Sequence, residues 1–288
     1  MLRETKVAFS LLAFYKKCIV ALAFLFKKVF SKSPKIFDKS VNEFVQLIWF
    51  IKKGISIKKN NDNSYLFSSI LNKKNIKLVV RKNSSDDLVF RDILLNEEYS
   101  FVLKTILLKE NAVIIDAGAN IGTSTIFFKS FLPKATIYSI EPAQANFNLL
   151  KQNIQINSLD TVTLLRNAIW INDNILDISD DFRDKKQWSI SVKSASSKSI
   201  SNLKGITLKQ IINKYSIKKI DLLKIDIEGA ERFLFSDNDF YKSVLEFVEN
   251  IVIEIHDEFD IREDIDLKME LGGYYKTHSG DLTLYYKK

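Results

Sequence analysis

The stretch VIIDAGANIGTSTIFF, residues 113–128, decides the fold of this chain. It joins a continuous apolar run to a turn with two glycines, and the turn to apolar residues at helical spacing. A parallel strand that passes into a helix over a ligand has this order. Strand-like runs and helical patterns alternate on either side of it, from about residue 76 to residue 256. This alternation predicts an α/β fold, with a mostly parallel sheet and helices on both faces.

The last residues predict a different strand pairing. In GGYYKTHSGDLTLYYKK, 272–288, two β-rich runs flank Ser279-Gly280-Asp281, which predicts an antiparallel hairpin. The Ser- and Lys-rich stretch 184–205 interrupts the alternation and predicts a long loop. Substrate contact and a plain flexible insertion both stay open for that loop.

Composition and charge divide the chain into two parts. Residues 1–60 carry 13 Lys or Arg against three Asp or Glu, whereas residues 61–288 carry 30 against 32. The net charge of +8 therefore belongs to a basic arm, 1–60, and the domain 61–288 lacks the basic surface of a nucleic-acid-binding protein. Cys18 is the single cysteine, which excludes an intramolecular disulfide and fits a reducing compartment.

The basic arm has an amphipathic pattern. Its apolar runs 7–15 and 18–26 are too short for a bilayer span, which needs about 20 apolar residues. In a continuous helix Lys6, Lys17 and Lys28 share one side, with Lys16 and Lys27 beside them. The pattern favours a helix lying in an anionic membrane interface. Packing on the domain or on a second subunit is the alternative, while the lysine pair at 16–17 argues against a cleaved signal peptide.

The glycine turn excludes two common ligands. Its pattern is D-x-G-x-N-x-G, formed by Asp116, Gly118, Asn120 and Gly122. A dinucleotide fingerprint has a glycine where Asn120 stands, so that backbone can approach a pyrophosphate. The G-x-x-x-x-G-K-[ST] phosphate loop is missing from the sequence. The turn therefore suits a ligand without a pyrophosphate, and S-adenosylmethionine is the expected one.

Each part of S-adenosylmethionine has a predicted partner. Gly118 allows the backbone to approach the methionine part, and Asp116 can accept a hydrogen bond from its ammonium group. Backbone N–H groups near Gly122 and Thr123, at the helix start, favour its carboxylate. Glu141, at the end of the next strand, can accept from both ribose hydroxyls. A helix-capping role is the alternative for such an acid.

The adenine end and a second polar cluster complete the predicted site. The third strand ends at Asn167, near where the adenine would lie. The block LLKIDIEGAERFLF, 222–235, brings Asp226 and Glu228 to another strand end, where parallel sheets bind ligands. Glu254 and His256 follow at the next one. Helix capping is the alternative for Glu228, and the carboxylates of Asp226, Glu228 and Glu254 could hold Mg²⁺.

These motifs resemble the FkbM family of S-adenosylmethionine-dependent methyltransferases. The resemblance runs over about residues 76–258 and rests on the D-x-G-x-N-x-G turn, IYSIEP and the K-I-D-I-E-G-A-E block. It implies a Rossmann-like class I methyltransferase fold, with seven strands and a C-terminal antiparallel hairpin. It also implies methyl transfer to an oxygen, with Asp226 and Glu228 beside the transferring methyl. We expect Asp226 to contact the cofactor as well. As general base we rank Asp226 first, then His256 and then Glu228.

The predicted function is O-methylation of a hydroxyl on a sugar, a glycan precursor or a natural product. The basic arm suggests a lipid-linked acceptor and a cytoplasmic enzyme at the inner face of the membrane. Methylation of RNA or protein is the alternative activity, although the near-neutral domain argues against RNA. A non-catalytic membrane scaffold that keeps the fold is the third interpretation, and the intact cofactor motif argues against it.

Overall fold

The computed structural model describes residues 3–30, 35, 38–61, 63–179, 191–194 and 203–288. The chain forms two compact units, one ending at Ser84 and the other running from Ser85 to Lys288. The sequence placed this division at residue 60. In the structure the boundary lies after Ser84, because the strands between residues 56 and 81 pair with one another in a separate sheet within the first unit.

In its described residues, the first unit has three helices followed by a three-stranded antiparallel sheet. The helices are α1 (Arg3–Leu11), α2 (Phe14–Phe30) and α3 (Asp38–Lys52). The strands are β1 (Ser56–Asn61), β2 (Ser64–Leu71) and β3 (Lys74–Arg81), with β2 in the middle. Among the helices of the described residues, none combines the length and the apolarity needed to cross a bilayer.

The break between α1 and α2 separates Lys6 from the other lysines of the arm, so the single continuous helix predicted for residues 6–30 is divided. The α-helix stops at Leu11 and restarts at Phe14, so the periodicity is not continuous from Lys6 onward. Lys16 is buried and forms an ion pair with Glu43 of α3. The side of α2 that carries Lys16 therefore packs within the unit.

The second unit carries the alternating pattern. It begins with α4 (Asp86–Phe90), a π-helical turn (Arg91–Leu95), α5 (Ser100–Thr105), β4 (Val113–Ala117), α6 (Thr123–Phe131), β5 (Thr136–Ile140), α7 (Gln144–Ile156) and β6 (Val162–Leu165). It continues with β7 (Ala168–Ile169), β8 (Ile175–Ser179), β9 (Ser191–Ser194), β10 (Leu203–Ile206), α8 (Leu208–Tyr215) and β11 (Leu222–Ile225). It ends with α9 (Glu231–Ser236), α10 (Asn238–Phe247), β12 (Asn250–Glu254), a 3₁₀ turn (Asp257–Phe259), α11 (Arg262–Leu271), β13 (Tyr275–Ser279) and β14 (Leu282–Tyr286).

The main sheet confirms the predicted Rossmann-like fold. Its strand order is β6-β5-β4-β11-β12-β14-β13. The neighbours from β6 to β12 are parallel, and β14 runs antiparallel to both β12 and β13. All of β11 and all of β4 after Val113 are buried, as expected for central strands with both faces covered. β5 and β11 lie on opposite sides of β4, so the strand order reverses between β4 and β11, which is where open parallel sheets bind ligands.

Two predicted elements differ from the structure. The loop predicted over 184–205 contains β9 and the start of β10, which pair with β8, and its other residues lie outside the described ones. Apolar residues at helical spacing over 85–108 predict a single helix, but the structure interrupts it before α5, where Glu97 has a φ of 51°. This interruption places Glu98 and Tyr99 in a turn rather than in mid-helix.

Candidate functional site

A cavity of about 290 Å³ lies at the carboxyl ends of β4, β5, β11 and β12. Its wall includes these residues of the predicted site: Gly118, Asn120, Thr123, Glu141, Asp226, Glu228 and Glu254. The predicted residues Asp116, Gly122, Asn167 and His256 are not part of that wall. The structure thus brings both predicted clusters to one cavity, while the role of each residue stays a prediction.

The glycine turn is shaped by contacts within the protein. Gly118 and Gly122 have φ values of 79° and 93°, and Asn120 between them has 50°. A Cβ on Gly118 would lie 1.7 Å from the backbone oxygen of Asp226. A Cβ on Gly122 would lie 2.8 Å from Leu150. Gly118 is therefore required by the close approach of two strand ends, in addition to the ligand approach expected from the sequence.

Asp116 fixes the first turn of α6 through side-chain hydrogen bonds. Its side chain is fully buried, and Oδ2 accepts hydrogen bonds from the hydroxyls of Ser124 at 2.7 Å and Thr125 at 2.6 Å. Oδ1 lies 3.4 Å from Nζ of Lys224. These partners are all within the protein, so the structure favours Asp116 as an anchor for the start of α6 over direct contact with a ligand.

Glu141 joins the turns that follow β4 and β5. Its Oε2 accepts the backbone N–H of Asn120, and its Oε1 accepts that of Ala143, each at 2.9 Å. The side chain of Asn146 donates to Oε1 at 3.3 Å. Burial outweighs these hydrogen bonds and raises the pKa of Glu141 to about 7. A buried carboxylate in this place has lone pairs left for hydroxyl donors in the cavity.

Asn167 does not reach the cavity. Its side chain donates to the backbone oxygen of Lys204 at 3.1 Å. The adjacent Ala168 and Ile169 line the wall instead. They provide apolar surface in the region where the adenine was expected.

The second cluster sits on a strained turn. β11 ends at Ile225, so Asp226 and Glu228 lie beyond the strand rather than on its continuation. Glu228 and Gly229 both have positive φ values, 55° and 87°. Glu231 accepts the backbone N–H of Ile227 at 3.0 Å, so it closes the turn, in line with the capping alternative for the acids of this block. Left-handed conformation in a non-glycine residue such as Glu228 is typical of functional turns.

His256 lies behind this turn. Its ring is fully buried, with Nδ1 3.2 Å from Glu231 and Nε2 3.4 Å from Glu228 and 3.8 Å from Glu254. Burial opposes its charge, but hydrogen bonds to Glu228 and Glu231 raise the pKa of His256 to about 10. Since an imidazole that is protonated near neutral pH cannot accept another proton, the geometry does not favour His256 as general base.

Sequence analysis missed several residues of the cavity wall, among them Lys224, Glu98 and Asp281. Burial raises the pKa of Glu98 to about 7, and the charges of Asp226 and Asp92 add to the effect. For Lys224, a signal was present: a lysine inside an apolar strand, two residues before Asp226 and on the same face. Glu98 and Asp281 gave no such signal, because they reach the cavity from turns.

The described residues contain no group of three or more His, Cys, Asp or Glu side chains that could hold a metal ion. Asp226, Glu228 and Glu254 line the same cavity without forming such a group.

Comparisons with known proteins agree with the fold and the motifs. Methyltransferase 1 of Beauveria bassiana is 36% identical to this chain over 53 residues, which are 18% of this chain and 21% of that protein. Methyltransferase sdnD of Sordaria araneosa is 40% identical over 50 residues, or 17% and 19% of the two proteins. The match thus spans about a fifth of each curated relative.

Among solved structures, the methyltransferase FkbM from Methylobacillus flagellatus KT aligns with a TM-score of 0.45 and 16% identity. The alignment covers 64% of this chain and 45% of that one. The family model described as Methyltransferase FkbM domain matches residues 116–275, which include both motif blocks and most of the main sheet. The chain belongs to the FkbM methyltransferase family.

Proposed function

We propose that this protein is an S-adenosylmethionine-dependent O-methyltransferase that acts on a hydroxyl of a sugar, a glycan precursor or a natural product. One observation carries the proposal. The glycine turn after β4 and the carboxylate of Glu141 after β5 line one cavity where the strand order reverses. A nucleoside with an amino-acid tail needs both features. A carboxylate accepts hydrogen bonds from its ribose hydroxyls, and a glycine turn leaves room for its tail.

The residues of the cavity fit this cofactor. Asn120 Oδ1 is buried and has no hydrogen-bond partner among the described residues, so it can accept from the ammonium group of the methionine part. Glu141 would hold the ribose, and Ala168 and Ile169 would contact the adenine. The cofactor supplies a methyl group on a positively charged sulfur.

The protein must then align an acceptor hydroxyl and remove its proton. Asp226 and Glu228 are carboxylates in the cavity wall, whereas His256 lies outside it, with a pKa that its carboxylate neighbours raise. We therefore rank Asp226 first as general base and Glu228 second. Alignment of the hydroxyl with the methyl group, with water excluded from the cavity, would contribute the rest of the rate enhancement.

The cavity wall favours an acceptor without negative charge at the reacting end. Acids from several elements line it, namely Asp92, Glu98, Asp226, Glu228, Glu254 and Asp281. Lys224 is the one basic residue of the wall in the part of the chain that the structure describes. A phosphate group there would meet like charge. This supports a sugar or natural-product hydroxyl over RNA, and it would place the phosphates of a lipid-linked glycan outside the cavity.

Calorimetric titration of S-adenosylmethionine into the full-length protein tests the proposal. We expect micromolar binding that is lost in Glu141→Ala and kept in Glu110→Ala, a matched change at an acid whose side chain is 56% exposed. A screen of sugar and natural-product hydroxyls for methylation would follow. A folded protein that does not bind S-adenosylmethionine would overturn the proposal.

We also propose that the first unit attaches the enzyme to an anionic membrane surface, at the cytoplasmic side. The support comes from the face of α2 opposite Lys16. Phe14, Cys18, Leu22 and Leu25 follow one another at helical spacing, and Phe14 is 82% and Leu25 58% exposed. An exposed apolar stripe on a lysine-rich helix is typical of interfacial binding.

Vesicle co-sedimentation separates membrane binding from other uses of this face. Wild-type protein should bind vesicles of phosphatidylcholine with phosphatidylserine and bind pure phosphatidylcholine weakly. The double variant Leu22→Glu/Leu25→Glu should lose binding, whereas Gln46→Glu, which adds charge at an exposed polar position of α3, should keep it. Equal sedimentation of wild type and double variant, or a wild-type dimer that the double variant dissociates, would contradict the membrane assignment.

A further inference from the structure

Lys224 is a buried charge that the mechanism above does not use. It lies inside β11, opposite Asp116 in the register of the parallel pair β4–β11. Its side chain is 2% exposed and borders the cavity. Placing an ammonium group in the middle of a sheet carries a desolvation penalty, so its presence calls for specific partners.

The hydrogen-bond and ion-pair partners of Lys224 lie at the end of β4, in the glycine turn that follows it and in the turn after β11. Nζ donates to the backbone oxygen of Gly118 at 2.8 Å and of Ala117 at 3.3 Å. Nζ also lies 3.4 Å from Oδ1 of Asp116 and 3.5 Å from Oδ2 of Asp226. The ammonium group thus makes two hydrogen bonds to carbonyls and two ion-pair contacts with carboxylates. Lys224 can therefore act on a ligand through its neighbours without touching it.

These contacts link the glycine turn to the acidic turn. The backbones of Gly118 and Asp226 are in close approach, since a Cβ on Gly118 would overlap the carbonyl of Asp226. Lys224 draws the carbonyls of the first turn and the carboxylate of the second toward one point. Burial disfavours its charge, but Asp226 and Asp116 outweigh this and raise the pKa of Lys224, so the link stays ionised.

We propose that Lys224 is a positioning residue that holds the glycine turn and Asp226 in place for the amino-acid end of the cofactor. The inference rests on the proposed binding of S-adenosylmethionine. Glu141, which would hold the ribose, accepts one hydrogen bond from Asn120 of the glycine turn but two from Ala143 and Asn146 after β5, so most of its support lies outside the turn that Lys224 holds. Loss of Lys224 should therefore disturb recognition of the amino-acid end far more than recognition of the nucleoside.

Two ligands separate these effects. S-adenosylhomocysteine has the nucleoside and the amino-acid end, whereas 5′-methylthioadenosine has the nucleoside alone. We expect Lys224→Met to weaken S-adenosylhomocysteine about 10- to 100-fold, as for loss of a charge-assisted hydrogen bond, and 5′-methylthioadenosine less than about twofold. Lys224→Arg should restore part of the affinity, and Lys134→Met, at a side chain that is 70% exposed, should change neither ligand.

A general structural role would give a different pattern. If Lys224→Met weakened both ligands equally, or neither, the proposal would be wrong. If that variant does not fold, Lys224→Gln, which can still donate to the carbonyls, takes its place with the same expectations. Failure of both variants to fold would assign Lys224 to sheet stability alone. A wild-type protein that binds neither nucleoside would instead overturn the proposed function, and the role of Lys224 with it.

Discussion

Substitution of Gly118 by alanine gives the sharpest test of how the two turns fit together. The added Cβ would lie 1.7 Å from the backbone oxygen of Asp226, and φ is 79°. The left-handed conformation alone costs an alanine about 1 kcal/mol. Overpacking against a backbone that cannot rotate away adds about 1–3 kcal/mol. We expect Gly118→Ala to lower the free energy of unfolding by about 3 kcal/mol in total.

Gly273 provides the matched control for this substitution. Its φ is 81°, almost the same, but a Cβ there would meet nothing within 4 Å. Gly273→Ala should therefore cost only the conformational part, about 1 kcal/mol. Urea unfolding of both variants measures the difference, and titration with S-adenosylmethionine should show lost binding in Gly118→Ala alone. Equal free energies of unfolding for the two variants would refute the steric argument.

Two further changes test charges elsewhere in the chain. Glu43→Ala removes the ion-pair partner of the buried Lys16 ammonium and should lower the free energy of unfolding of the first unit by about 3 kcal/mol, measured in urea. Glu110→Ala is the control and should cost less than about 1 kcal/mol, because its pair with Lys134 is exposed. Similar losses in the two variants would contradict this reasoning. Glu141→Gln tests the raised pKa of Glu141. Between pH 4.5, the ordinary pKa of a glutamate, and about pH 7, the folded state keeps a proton that the unfolded state has released. The free energy of unfolding of the wild type should therefore fall as pH rises through this window, and it should fall less in the variant. Parallel pH profiles of unfolding would show that Glu141 titrates normally.

The main sheet could be predicted from the sequence because its central strands have both faces covered. Strands such as β4 and β11 then become mostly apolar runs, interrupted by Asp116 and Lys224, and the intervening helices have a clear period. The strands β1 and β2 were missed. In β1, Ile57 is the buried position and most of the other residues are exposed and polar, so the strand has little apolar signal of its own. An edge strand such as β1 depends on pairing with its neighbour β2, which sequence patterns do not show.

The candidate site was predictable where it follows strand ends and unpredictable where it depends on turns. Glu141 and Asp226 lie directly after strands, so their convergence follows from parallel topology. The burial of His256 between carboxylates depends on the turn at Glu228, whose backbone conformation the sequence does not reveal. Lys224 was visible as an unusual residue, but its partners required the register of β4 against β11.

The turn between β13 and β14 can change in length and sequence without disturbing the main sheet. Asp281 joins the cavity wall from the turn of that hairpin, and the neighbouring Gly280 has open space around it. Residues in the turn make no ladder pairs with the sheet, so their number and identity can change while β12 and β14 stay in register. Libraries that seek new acceptors for the proposed methyl transfer should therefore begin at this turn, where sequence changes leave β4, β5 and β11 intact.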